Sequence, residues 1–257
     1  MRKPPLYPES DDMGEHEIQR LIAELLRPLI DRFLLERRRP AHVGADQFIY
    51  WKEGTPTRRL APDVYVLPGV DRSIAIPCWK TWETGIVPSF ALEIAGNDIA
   101  KDYEHGPADY ADLGVTELVV FDPHATATSK TRLRWQVFRR VGKRGLVRVD
   151  VSQGDRVKSK VLKAWLLAVG TGDAVRLRIA EGEHGEALFP TEAEAERAAK
   201  EAERAAKEAE RAAKETERAA KEAERAARQI AEAARDAAEA EVARLRLLVE
   251  SAKRRRP

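Results

Sequence analysis

The chain has 257 residues and a formal charge of +2, from 45 Lys and Arg against 43 Asp and Glu. This balance holds on both sides of residue 191, so there is no strongly basic body for indiscriminate polyanion binding. One cysteine, Cys78, excludes an intrachain disulfide and a cysteine metal cluster. The N-terminal MRKPPLYPESDD lacks an apolar signal core and no run approaches the roughly 18 apolar residues of a membrane span. The expectation is a soluble, cytoplasmic protein with no membrane partner.

Two kinds of sequence are joined near residue 190. Residues 1–190 hold all the Trp, Tyr, Phe and Gly and predict one globular domain able to bury its own core. Residues 191–257 are nearly all Ala, Glu, Lys and Arg and predict a helical tail.

Residues 1–13 are Pro-rich and polar, which predicts an extended segment. A helix is predicted over 13–36, capped by Asp11 or Asp12. Its apolar face is Ile18, Leu21, Ile22, Leu25, Leu26 and Leu29, and Pro28 should kink or end its first part. Residues 42–51 and 61–67 read as strands, 70–87 as a loop anchored by Trp79 and Trp82, and 89–95 (SFALEIA) as a buried strand. Pro107 suits the first turn of a helix reaching Leu113, with Gly114 just past its end. The strand TELVVF follows, and this strand–helix–strand order predicts a parallel crossover in a mixed sheet. Residues 131–141 and 146–151 read as a hairpin, and 160–180 as further strand. Three basic clusters, at Arg37 to Arg39, Arg139 to Arg144 and Lys253 to Arg256, read as solvated surface.

The tail repeats EAERAAK from Glu194 in steps of seven. Glu196–Lys200, Glu203–Lys207 and Glu210–Lys214 are i,i+4 pairs in the favourable order. Ala195, Ala199, Ala202, Ala206 and Ala209 follow the 4-3 spacing of a coiled-coil seam, yet an all-Ala seam buries little surface. A solitary charge-stitched helix and a self-associating coil therefore both stand. Ile230, Val242, Leu245, Leu248 and Val249 add apolar weight towards the end, where a homo-oligomer would concentrate its contacts.

The chemistry-bearing stretch is 61–123. Asp63 follows Pro62 and opens VYVL; strands are depleted in Asp. Glu93 interrupts an apolar strand, where a charge is costly unless paired or metal-bound. Lys101 follows in a loop. Each alone has a bland reading, as a turn acid, a paired acid or a solvated lysine. Together they suit a phosphodiesterase dependent on Mg²⁺ or Mn²⁺.

APDVYVLPGV, then VPSFALEI, then KDYEHGPADYADLGVTELVVFDP together resemble the Uma-type family of restriction endonucleases, within the PD-(D/E)xK nuclease superfamily. The resemblance spans about residues 7–180. It implies a restriction-endonuclease-like α/β core, a mixed sheet flanked by helices, followed here by the long charged helix. By the resemblance, Asp63 corresponds to the acid of the PD half-motif and Glu93 to the first acid of the (D/E)xK half. The lysine normally two residues on is Ala95 here. Many relatives place a lysine one turn before a tyrosine that Tyr110 matches, and that position is Gly106, which leaves Lys101 as the candidate. A first-helix acid is also common, with Glu17 expected and Glu15 its competitor. Asp63, Glu93 and the Ile94 carbonyl are the implied metal ligands and DNA the implied partner. Two other readings stand beside the endonuclease: a nuclease fold that binds nucleic acid without cutting it, and an assembly protein working through its tail.

Overall fold

The computed structural model describes residues 17–96, 103 and 106–254, without the side chains of residues 248, 249 and 252–254. The chain divides into two compact units, 1–191 and 192–257.

The first helix, α1, is Glu17–Glu36. Its buried stripe of Ile18, Ile22, Leu26, Leu29, Ile30 and Phe33 recurs at helical spacing. The helix does not end at Pro28 but continues to Glu36. Pro28 lies on the exposed face, where water can serve the backbone carbonyl it leaves unbonded, and the buried Leu29, Ile30 and Phe33 continue the apolar stripe beyond it. The expected capping residues Asp11 and Asp12 lie outside the described residues.

The strands that follow are β1 (Ala41–Gly44), β2 (Ile49–Tyr50), β3 (Arg59–Leu60) and β4 (Val64–Pro68). The single strand expected over 42–51 is thus two, in different sheets. Asp46, in the left-handed region at φ 60°, breaks it. Aspartate tolerates that conformation, and the Asp46 N–H is satisfied by the Pro62 carbonyl at 2.9 Å. The expected loop 70–87 contains β5 (Trp79–Lys80) and a one-turn helix, α2 (Thr81–Thr84). Trp79 is an anchor, donating its Nε1–H to the Ile86 carbonyl at 2.9 Å. Trp82 is 37% exposed and does not anchor the segment.

Next come β6 (Phe90–Ile94), α3 (Gly106–Leu113) and β7 (Glu117–Phe121). β6 and β7 pair in parallel, Phe90 opposite Glu117 through Ile94 opposite Phe121, as a crossover requires. Gly114, at φ 102°, ends α3 and donates its N–H to the Tyr110 carbonyl at 3.2 Å. β8 (Trp135–Arg140) and β9 (Leu146–Ser152) form the hairpin, and β10 (Arg156–Ser159), β11 (Ala164–Val169), β12 (Arg176–Glu181) and β13 (Ala187–Leu188) complete the first unit.

The main sheet has the order β1-β4-β6-β7-β8-β9. One face, with Val64, Val66, Phe90, Leu92, Ile94, Val119 and Phe121, shares a core with α1 and with the β10-β11-β12-β13 sheet. The other face, with Tyr65, Leu67, Ala91, Ala95, Leu118 and Val120, shares a core with Tyr110 and Leu113 of α3. Strict alternation along β4, β6 and β7 therefore places alternate residues in two different cores.

Two of the basic clusters are not simply solvated. Arg39 donates to the Val161 and Leu162 carbonyls at 2.6 and 2.7 Å. Arg139 meets the fully buried Glu117 at 2.6 Å, and Arg140 donates to the Val115 and Ala111 carbonyls. The planar guanidinium fork suits such carbonyl and carboxylate docking.

The second unit is one helix, α4, Glu192–Arg254. Its i,i+4 ladder includes Glu196–Lys200 at 3.5 Å, Glu203–Lys207 at 2.5 Å and Glu224–Arg228 at 2.9 Å. No described helix is long and apolar enough to cross a membrane.

Candidate active site

The site lies where β4 begins and β6 ends. In the antiparallel β4–β6 pair Val64 faces Leu92, so the next residues outward are Asp63 and Glu93. Alternation puts Glu93 on the α3 face, with Ala91 and Ala95 as its same-side neighbours. Asp63 immediately precedes β4, and its carboxylate turns to the Ile94 N–H of β6. Two acids 30 positions apart are thereby made adjacent by one strand pairing.

Each carboxylate is held by a neighbour. Asp63 is 9% exposed, and its Oδ2 accepts the Ile94 N–H at 2.5 Å. Glu93 is half-buried and accepts the Tyr110 hydroxyl on Oε1. Tyr110 is fully buried on α3, so the helix that completes the crossover also delivers the hydroxyl that orients Glu93. From α1, Gln19 donates its Nε2–H to the Ile94 carbonyl at 2.6 Å.

A second acid arrangement braces the same end of the sheet. Asp122, just past β7, is fully buried and pairs with Arg132 at 2.9 Å. It also accepts the Tyr103 hydroxyl at 2.6 Å and the His124 N–H at 2.8 Å. Arg132 reaches on to the Gly96 carbonyl at 3.2 Å, tying the segment after β6 to the segment after β7. Burial, with Asp122 adding to it, pushes the Tyr103 hydroxyl well above the ordinary phenol range, so it stays a proton donor to that carboxylate.

The expected residues fare differently. Asp63, Glu93 and the Ile94 carbonyl are together. Glu17 begins the described part of α1 with its side chain 82% exposed and its carboxylate 3.9 Å from Arg20. The contact from α1 to the site comes from Gln19 instead. Lys101 and Glu15 lie outside the described residues. Ala95 is fully buried, and Gly106 sits at the start of α3, one turn before Tyr110. Gln19, Tyr103, Asp122 and Arg132 carried no signal of a role at this site in the sequence, apart from the DP dipeptide that holds Asp122.

The potential ligands are all oxygen: two carboxylates and one main-chain carbonyl. That donor set fits a hard divalent cation, and Mg²⁺ is commonly held by one or two protein carboxylates together with water and phosphate oxygens.

Among functionally curated proteins there is no match to the chain. Among solved structures, a protein from Anabaena variabilis ATCC 29413 described as a "putative nuclease belonging to DUF820" is similar over 58% of this chain and 76% of that one, at 12% identity and a TM-score of 0.40. The model of the Uma2 family, described as "Putative restriction endonuclease", matches residues 8–170. That match takes in α1, the whole main sheet and both acids of the site, and the chain belongs to the Uma2 restriction-endonuclease family.

Proposed function

We propose that the first unit is a metal-dependent endonuclease that hydrolyses DNA phosphodiester bonds at Asp63 and Glu93. The observation that carries this is their adjacency across β4 and β6, inside the segment matched by a restriction-endonuclease family. Asp63, Glu93 and the Ile94 carbonyl would hold Mg²⁺ or Mn²⁺. When bound, the ion supplies Lewis-acid polarisation of the phosphate and lowers the pKa of water.

The chain's own groups prepare that site. The Ile94 N–H fixes one Asp63 oxygen, and the Tyr110 hydroxyl fixes one Glu93 oxygen. Gln19 aims the Ile94 carbonyl. Such supporting hydrogen bonds limit the reorganisation the ligands undergo on binding. Lys101 is assigned the task of orienting and deprotonating the attacking water and offsetting charge at phosphorus.

A nuclease fold that binds nucleic acid without cutting it is the second reading. It is favoured by the residues at the two lysine positions, the buried Ala95 and the side-chain-free Gly106. One experiment separates the two. Mg²⁺ and Mn²⁺ binding is measured by calorimetry, and cleavage is followed on supercoiled plasmid and linear duplex. The proteins are the wild type, Asp63→Ala with Glu93→Ala, and Lys101→Ala. The endonuclease reading expects binding and cleavage in the wild type, both lost in the double variant, with cleavage alone lost in Lys101→Ala. Metal and DNA binding without cleavage supports the second reading. No metal binding by the wild type, with or without DNA, overturns the site.

A further inference from the structure

Towards its C-terminal end α4 carries exposed apolar residues, unlike the Ala, Glu, Lys and Arg repeats before them. Ile230 is 71% exposed, Val242 49% and Leu245 51%. The charge ladder explains how so long a helix holds together, because i,i+4 pairs stabilise an isolated helix. It does not explain these three residues, whose exposure costs solubility and adds nothing to the ladder.

The spacing says what they are for. A 4-3 seam runs from Ala195 to Ala234 through Ala199, Ala202, Ala206, Ala209, Ala213, Thr216, Ala220, Ala223, Ala227 and Ile230. Thr216, its one polar member, returns its hydroxyl to the Ala212 carbonyl at 2.9 Å and so brings no unsatisfied group to the seam. One extra residue then shifts the pattern to Ala238, Val242 and Leu245, and in sequence on to Val249. A heptad stripe drifts by about 20° per repeat on a straight helix, roughly 100° over the five repeats before the shift. One residue turns the helix by about 100°. The extra residue therefore returns the stripe to the face it left.

The flanking charges choose the partner and its direction. Relative to the seam, the repeats carry Glu203, Glu210, Glu217 and Glu224 on one flank and Ala205, Ala212, Ala219 and Ala226 on the other. An antiparallel pair sets the Glu flank of one helix against the Glu flank of the next. A parallel pair sets Glu against Ala. Around Val242 and Leu245 the flanks are Glu241 and Arg246, five apart, the spacing at which flanking residues of parallel helices meet. In a parallel, in-register pair Glu241 of each copy faces Arg246 of the other.

We propose that α4 is a dimerisation element, pairing in parallel and in register with α4 of a second copy of this chain. The contact centres on Val242 and Leu245. Leu247, 69% exposed, is opposite the seam and stays in solvent. Each dimer carries two Asp63/Glu93 sites. That last consequence rests on the endonuclease reading; the pairing does not.

The test is sedimentation of the full chain at micromolar concentration, with helix content followed by circular dichroism. The wild type is expected at twice the 28.8 kDa chain mass. Val242→Glu with Leu245→Glu is expected to give a monomer of unchanged helix content, since Glu is a good helix former. Leu247→Glu, the same chemistry on the opposite face, is expected to remain dimeric. Glu241→Arg is expected to weaken the dimer about tenfold, and mixing it with Arg246→Glu to restore pairing between the two variants. A monomeric wild type overturns the proposal, as does a Val242→Glu/Leu245→Glu variant that stays dimeric. Equal dissociation by Leu247→Glu overturns the assigned face, and failure of the mixed variants to pair overturns the parallel register.

Discussion

Tyr110→Phe isolates the link between α3 and the site. The ring is fully buried, and phenylalanine keeps it in the core with Ala91, Leu118 and Val120. What is removed is one hydroxyl, the donor to Glu93 Oε1. A hydrogen bond to a charged group contributes about 1.5–3 kcal/mol. Glu93 is half-buried, so water can take over part of the hydroxyl's role, and the cost should sit near 1.5 kcal/mol. For a unit of this size each 1 kcal/mol shifts the melting temperature by about 2–4 °C. The expected loss is therefore roughly 3–6 °C, with an unchanged denaturant slope. The functional effect should exceed the structural one in kind. Groups that orient a metal ligand typically change affinity by about 10–100-fold, and the lower figure is expected here because Glu93 keeps its place on β6. Urea unfolding gives the first quantity and Mg²⁺ calorimetry the second. Unchanged metal affinity in Tyr110→Phe, with binding abolished in the Asp63/Glu93 double variant, would falsify the orienting role. A stability loss far above 3 kcal/mol would mean that the ring had not been preserved and that the comparison measures packing.

Glu117→Ala should be among the most destabilising single changes in the first unit. The carboxylate is fully buried, meets Arg139 at 2.6 Å, and accepts the Lys160 N–H at 3.0 Å and the Ser159 hydroxyl. Removing one partner of a buried pair costs about 3–5 kcal/mol, and equilibrium unfolding that shows less than about 1 kcal/mol would rule that accounting out. Gly44→Ala should cost about 1–3 kcal/mol. An added Cβ falls 2.3 Å from Cζ of Tyr65, whose ring is held by strand register and by its hydroxyl bond to Gln47 at 2.9 Å. A stability indistinguishable from wild type would show that the ring yields freely. His42 predicts a pH dependence. Burial holds its imidazole below the ordinary value of 6.5, outweighing the pull of the Asp71 backbone and of Asp31. Below 6.5 the unfolded chain therefore binds more protons than the folded one, and stability must fall as pH drops through 6.5 until the folded imidazole also charges. His42→Phe should flatten that fall in unfolding midpoints taken across the range, and an unaltered slope would assign it to other groups.

The parts of this fold that were legible are those decided within a short stretch of chain. SFALEIA, the α3 helix with Gly114 behind it, and TELVVF announce a parallel crossover because each signal is local and their order permits one handed connection. The break at Asp46 was missed because the apolar and aromatic residues on either side suit a strand, although Gly44 and Asp46 do not. Whether a strand continues is settled by what lies beside it, here Tyr65 against Gly44 on one side of the break and Trp79 against Ile49 on the other. Pro28 misled for a related reason. Local propensity argues for an end to the helix there, yet the cost of a proline depends on whether its face is buried, and burial belongs to the tertiary structure.

The same division runs through the candidate site. Glu93 was visible because a charge in an apolar strand is anomalous by itself, and Tyr110, only 17 residues on, lies in the helix the strand leads to. Gln19 was not visible. It reaches the Ile94 carbonyl across 75 residues, and neighbouring Glu17 is the better guess on charge alone. What separates the two is helical phase: Gln19 follows the buried Ile18, while Glu17 projects into solvent. Asp122 and Arg132 were hidden in another way, since a buried ion pair looks in sequence like two surface charges until the fold removes the water around them. Residues that touch a reacting group can betray themselves by being out of place. Residues that hold them in position fit their surroundings, and only the assembled structure sets them apart.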